Sequence, residues 1–106
     1  MASGNNHRPR VVITGVGAVT PVGNTAEETW QALIAGKSGV AKVTFFDTTN
    51  FDVKIAAEVK NFDATQYASR KQVNRMDRFT QFAVASSLQA VKSANLTIDA
   101  SNAEDT

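Results

Sequence analysis

Val11-Val12-Ile13-Thr14-Gly15-Val16-Gly17-Ala18-Val19-Thr20-Pro21-Val22-Gly23-Asn24 is the stretch that decides the fold of this 106-residue chain. Its first three residues are β-branched and contiguous rather than alternating, the pattern of a strand covered on both faces in an α/β sheet. Gly15 and Gly17 then break the run, where a missing Cβ permits close backbone approach. Thr20-Pro21-Val22-Gly23 predicts a turn. A strand, two glycines and a following helix invite a dinucleotide-binding reading, with a pyrophosphate held by amides at a helix N-terminus. Three details oppose it: the third glycine of G-x-G-x-x-G falls on Thr20, Pro21 interrupts direct entry into the helix, and no acidic residue ends a second strand ~20 residues further on. Glycines that let a turn cross a crowded sheet edge give the better account.

Working outward, Thr25 and Glu28 have capping-box spacing, and Glu27 and Glu28 complement the positive end of a helix dipole. A helix therefore starts at Asn24 or Thr25, with Ala26, Trp30, Leu33 and Ile34 on one face and Gly36 as left-handed terminator. Residues 40–46 read as a short strand and Asp47-Thr48-Thr49-Asn50 as a turn. Residues 54–60 alternate, with Ile55, Ala57 and Val59 on one side, as in a half-exposed strand. Asn61-Phe62-Asp63 opens a second helical region, in which Ser69 and Gln72 repeat the capping-box spacing. A longer helix runs from an N-cap at Asp77 to about Asn95, carrying Phe79, Phe82, Ala83, Ala90, Val91 and Ala94 among Ser86 and Ser87. So many small residues predict close packing against a neighbour rather than a ligand site.

The chain is 42% hydrophobic, enough for one small domain and too short for two. Residues 1–9 read as a loose polar arm, which makes His7 a solvated imidazole rather than a base or ligand. Eleven basic and ten acidic residues leave a net charge of +1, so no global field draws the chain to nucleic acid or to an anionic membrane. The sequence contains no cysteine, which excludes a disulfide framework, a thiolate metal site and a cysteine nucleophile, and suits a cytoplasmic protein. Arg8 and Arg10 precede an apolar stretch, but Thr14, Gly15, Gly17 and Thr20 dilute it too far for a secretory signal. No run approaches the ~20 apolar residues of a membrane span.

Taken together, the Val11 to Asn24 stretch, Trp30 to Leu33, Ala35-Gly36-Lys37-Ser38-Gly39-Val40, Phe46-Asp47-Thr48, the strand ending at Lys60, and Ser69-Arg70-Lys71 through Met76-Asp77-Arg78-Phe79 resemble the N-terminus of β-ketoacyl-acyl-carrier-protein synthases. Thr-Pro-Val-Gly-Asn and the Arg-Lys to Arg-Met-Asp pattern are closer to synthase II than to synthase I. The resemblance runs from Arg10 to about Ala103. It implies an α/β chain that is the incomplete N-terminal half of a thiolase-like fold, a mixed sheet with packed helices, with residues 10–106 a truncated N-terminal synthase domain. The family loads an acyl group onto a cysteine and attacks it with a carbanion made by decarboxylating malonyl-acyl carrier protein. A low-pKa thiolate and donors for the developing oxyanion and enolate are required, supplied in the family by two histidines and a lysine. None of these maps onto this sequence, so no catalytic residue is assigned and the chain alone is expected to be inactive. The resemblance implies no cofactor or metal, an acidic acyl carrier protein as partner, and a homodimer in the complete enzyme.

One element within the chain carries a functional reading. On a continuous helix Lys71, Arg75 and Arg78 stand at i, i+4 and i+7 and project from one face, with Arg70 to one side. Opposed only by Asp77, they make a local positive patch. Such a face ordinarily does no more than keep a helix solvated. The resemblance gives Arg70, Lys71, Arg75 and Arg78 a role, because the matching synthase II segment belongs to the surface that docks the carrier protein; Asn74 departs from the basic residue common there. Two rival readings are a non-catalytic carrier-binding module using the same face, and the nucleotide-binding oxidoreductase fragment that Thr20 and Pro21 oppose.

Overall fold

A computed structural model describes residues 8–105; apart from Arg8 and Pro9, the expected N-terminal arm, including His7, lies outside the described residues. The first helix, α1 (Ala26–Ile34), forms where the cap signals place it. Thr25 is extended and its hydroxyl accepts from Glu28 N at 3.1 Å, satisfying one of the orphan amides of the first turn. The Glu28 carboxylate reaches back to Asn24 N at 3.3 Å, one residue earlier than in a standard capping box. Gly36 ends the element at φ +70°, open to solvent.

Both expected strands form but are shorter than their sequence patterns: β1 (Val40–Lys42) and β2 (Ile55–Ala57) pair antiparallel, with Val40 opposite Ala57 and Lys42 opposite Ile55. The turn after β1 is set by Asp47, whose carboxylate accepts from Thr49 N at 3.0 Å. Of the apolar side expected on the second strand, Val59 is buried while Ile55 and Ala57 remain exposed. A 3₁₀ turn (Ala64–Gln66) capped by Asp63 leads to α2 (Arg70–Val73), whose Ser69 and Gln72 make the full reciprocal capping box. The last helix, α3 (Arg78–Ser93), follows its extended N-cap Asp77 and closes at Asn95, which takes the left-handed φ of +53°.

The strand expected at residues 11–13 is not formed. Val11 and Ile13 are 90% and 84% exposed, and the sheet among the described residues contains only β1 and β2. A strand built for burial on both faces gains ladder hydrogen bonds only beside neighbours, and here it has none. The apolar faces of the helices are likewise formed but largely uncovered, with Trp30, Leu33, Ile34 and Phe79 exposed.

Burial is correspondingly sparse. The buried apolar residues among those described are Ala32, Val59, Ala64 and Ala85, and no large side chain is fully enclosed. The radius of gyration is 18.7 Å, against about 13 Å for a compact domain of this length. The accessible surface of 8653 Å² likewise exceeds the roughly 5,700 Å² of a folded monomer of this mass.

Candidate functional site

Two features of the sequence carried chemistry, and the structure treats them differently. The glycine stretch crosses α3. A Cβ on Gly17 would overlap the Ser86 carbonyl and lie 2.9 Å from Ala90 N, and one on Gly15 would lie 2.6 Å from Ala94 N. The crowded element is thus a helix backbone and not the expected sheet edge. The small residues of α3 let the loop settle onto it, and two of the loop amides are spent there. Val16 N donates to Ser93 Oγ at 3.4 Å, and Ala18 N donates to Gln89 Oε1 at 3.0 Å. Amides so committed do not cradle a phosphate, which adds to the details that oppose the dinucleotide reading.

Gln89 is the polar hub of this packing and was not singled out by sequence pattern. Its amide nitrogen donates to Asn24 O at 2.7 Å and to the Tyr67 hydroxyl at 3.0 Å, joining the glycine loop, the start of α1 and the 3₁₀ turn. Lys60 plays a similar part at the Thr20 to Gly23 turn, where its ammonium donates to the carbonyls of Pro21, Gly39 and Glu58 at 3.2, 3.1 and 2.9 Å. Neither role has a local signal, since, apart from the Glu58 carbonyl, the partners lie far away along the chain.

The basic cluster is rearranged. The single helical face expected over Lys71, Arg75 and Arg78 does not exist: α2 stops at Val73, residues 74–76 form turns, and Asp77 at φ −68° and ψ 160° restarts the chain into α3. An extended residue between the two helices resets their directions, so i, i+4 and i+7 no longer share a face. Arg70 and Lys71 sit on α2, Arg75 on the linker and Arg78 on the first turn of α3. All four, Arg70, Lys71, Arg75 and Arg78, are exposed.

Arg78 is engaged within the molecule. Its guanidinium carbon lies 5.0 Å from the ring centroids of both Phe45 and Phe82, and Nη2 donates to Val59 O at 3.3 Å. These are cation–π distances, and they fasten the first turn of α3 to the β1–β2 hairpin. Phe82 also meets Phe62 edge-on at 5.1 Å, and Phe62 stacks on Tyr67 at 6.1 Å. An aromatic row of Phe82, Phe62 and Tyr67 therefore joins the first turns of α3 to the end of the 3₁₀ turn.

Electrostatics around the cluster are local. The Asp63 carboxyl is held below the usual carboxylate range, first by the Thr65 hydroxyl, then by the Thr65 backbone N–H, with a smaller contribution from the Arg70 charge. Among the described residues no group of histidine, aspartate and glutamate side chains is arranged to hold a metal ion, and no helix is long and apolar enough to cross a membrane.

Comparison with known proteins gives this geometry a context. Residues 8–106 match the model of the beta-ketoacyl synthase N-terminal domain. The chain is 46% identical over 101 residues to the 3-oxoacyl-[acyl-carrier-protein] synthase 2 of Synechocystis sp., covering 95% of this chain and 24% of that protein. It is 47% identical over 94 residues to the protein of the same name from Vibrio cholerae, covering 89% of this chain and 23% of that one. Among solved structures, the ishigamide ketosynthase/chain length factor superposes with a TM-score of 0.77 at 39% identity, over 85% of this chain and 22% of that one. The fold is thus that of a ketosynthase, thiolase-like, and the chain spans about a quarter of the length of the curated relatives it matches. By the extent of that match, this chain belongs to the beta-ketoacyl synthase family, in its N-terminal domain.

Proposed function

We propose that the chain is the N-terminal part of a cytoplasmic fatty-acid condensing enzyme and serves carrier-protein docking and scaffolding rather than covalent chemistry. In the reaction, decarboxylation of malonyl-acyl carrier protein releases carbon dioxide and leaves a carbanion. The carbanion attacks the acyl thioester on the enzyme, a carbon–carbon bond forms, and the cysteine leaves as thiolate. This sequence has no cysteine to hold that acyl group. What it does offer is an exposed basic segment, Arg70, Lys71 and Arg75, with the Arg78 charge at its edge. An acidic carrier protein is the complementary partner.

The observation that carries this reading is one of coverage: synthase 2 relatives match nearly all of this chain, while the chain covers less than a quarter of each. The sparse core agrees with it, because a complete domain buries its large apolar side chains. The homodimer of the complete enzyme belongs to the same proposal.

The test is kinetic and uses a complete synthase carrying this segment. Lys71→Glu with Arg75→Glu raises KM for the carrier-linked substrate at low salt, and the difference from wild type shrinks as salt rises through a Debye length of ~10 Å at 0.1 M. An unchanged KM in a folded double variant returns these residues to the role of a solvated surface.

A further inference from the structure

The basic segment is poorly equipped to hold itself in place. With four residues, α2 is far below the length at which a helix persists unaided, so its orientation depends on ties to its surroundings. At its N-terminal end the tie is local, the reciprocal bonds between Ser69 and Gln72. At its C-terminal end the tie comes from α3. The Gln81 side-chain amide donates to Val73 O, the last residue of α2, at 3.4 Å, and to Met76 O in the linker at 3.3 Å. One NH₂ group thus bridges the end of the helix bearing Arg70 and Lys71 and the carbonyl one residue beyond Arg75. Gln81 lies one turn along from Arg78, whose guanidinium anchors the same end of α3 to the hairpin. The short helix and linker are therefore referred to a sixteen-residue helix that is itself fixed.

We propose that Gln81 is a positioning residue for carrier-protein docking: without touching the partner, it sets the direction in which Lys71 and Arg75 present their charges. The inference rests on the docking reading above. Val73 O also accepts from Met76 N at 3.1 Å, so an apolar side chain at position 81 removes the cross-link between the two carbonyls, leaves Met76 O in the linker to water, and frees the linker from α3.

The experiment compares two substrates in a complete synthase carrying this segment: malonyl-acyl carrier protein, and a carrier-free malonyl thioester of the pantetheine type. Gln81→Met keeps length and removes the donors; Gln81→Glu keeps shape and presents only acceptors once ionised, providing a second variant should the first fail to fold. Each is expected to raise KM for the carrier-linked substrate about three- to tenfold, the scale of one or two lost hydrogen bonds. The expected kcat and carrier-free KM are those of wild type. A rise in both KM values marks a general structural role and overturns the proposal. An unchanged carrier-linked KM, when Lys71→Glu with Arg75→Glu raises it, overturns positioning and leaves docking intact. If neither the charge variant nor the Gln81 variants move it, the docking reading falls, and this inference with it.

Discussion

A methyl group added at Gly17 has nowhere to go, because three atoms of α3, two of them backbone, lie within 2.9 Å of its position. Gly36 is the contrasting case, open in space but held at φ +70°. Gly17→Ala should therefore destabilise by about 1–3 kcal/mol through overpacking, whereas Gly36→Ala loses roughly 1–2 kcal/mol through left-handed strain and Gly36→Asn recovers part of it. Thermal midpoints of these variants in a complete synthase would check the order, and an unshifted midpoint for Gly17→Ala would contradict the packing described. Acid sensitivity belongs to the same scale. The carboxyls of Asp47, Asp63 and Asp99 are each lowered by the hydroxyl and amide two residues on. A lowered folded-state pKa stabilises above the ordinary aspartate range, and that contribution is lost as pH falls through the folded value. Thr65→Val should accordingly move the Asp63 titration upward, as followed by carboxyl NMR. Sequence revealed Gly36 and the turn at Asp47 because their constraints are local; the α3 atoms that crowd Gly15 and Gly17, the Gln89 acceptor on Asn24 and the Lys60 acceptors on Pro21 and Gly39 lie in distant segments and were illegible.

Caps were the most legible features at the level of elements. Thr25 and Ser69 each cap a helix where the spacing placed it, since an N-cap bond needs only residues two or three positions away, and Asp77 holds the extended N-cap position of α3 without a side-chain cap bond. Ser69→Ala should remove about 1 kcal/mol and, because α2 has four residues, unravel it; loss of amide exchange protection at Gln72 and Val73 is the measurement. The error over Lys71, Arg75 and Arg78 arose from extending helical spacing through Asp77, the very residue whose extended backbone separates α2 from α3. Residues 11–13 failed for a different reason. Their composition predicts a strand buried on both sides, and that prediction concerns partners as much as the segment itself. The thiolase-like fold was legible through family resemblance, whereas no neighbour for such a strand forms among the described residues.

The molecule as a whole is an extended set of correctly formed elements around very little core. Exposed Val11, Ile13, Trp30 and Phe79 leave apolar surface and an unpaired strand-forming segment open to association. Isolated, the chain should melt broadly or self-associate, as sedimentation and calorimetry would report; a monomer with a sharp cooperative transition would contradict this. Division of labour between docking and chemistry is the central claim, and mass spectrometry tests it most directly. Pure chain is incubated with acyl-acyl carrier protein and malonyl-acyl carrier protein, then analysed intact together with its products. The account predicts unmodified protein and no β-ketoacyl product above a protein-free control, since no thiolate is present to carry the acyl group. Reproducible β-ketoacyl product, scaling with the concentration of the pure chain, would contradict it.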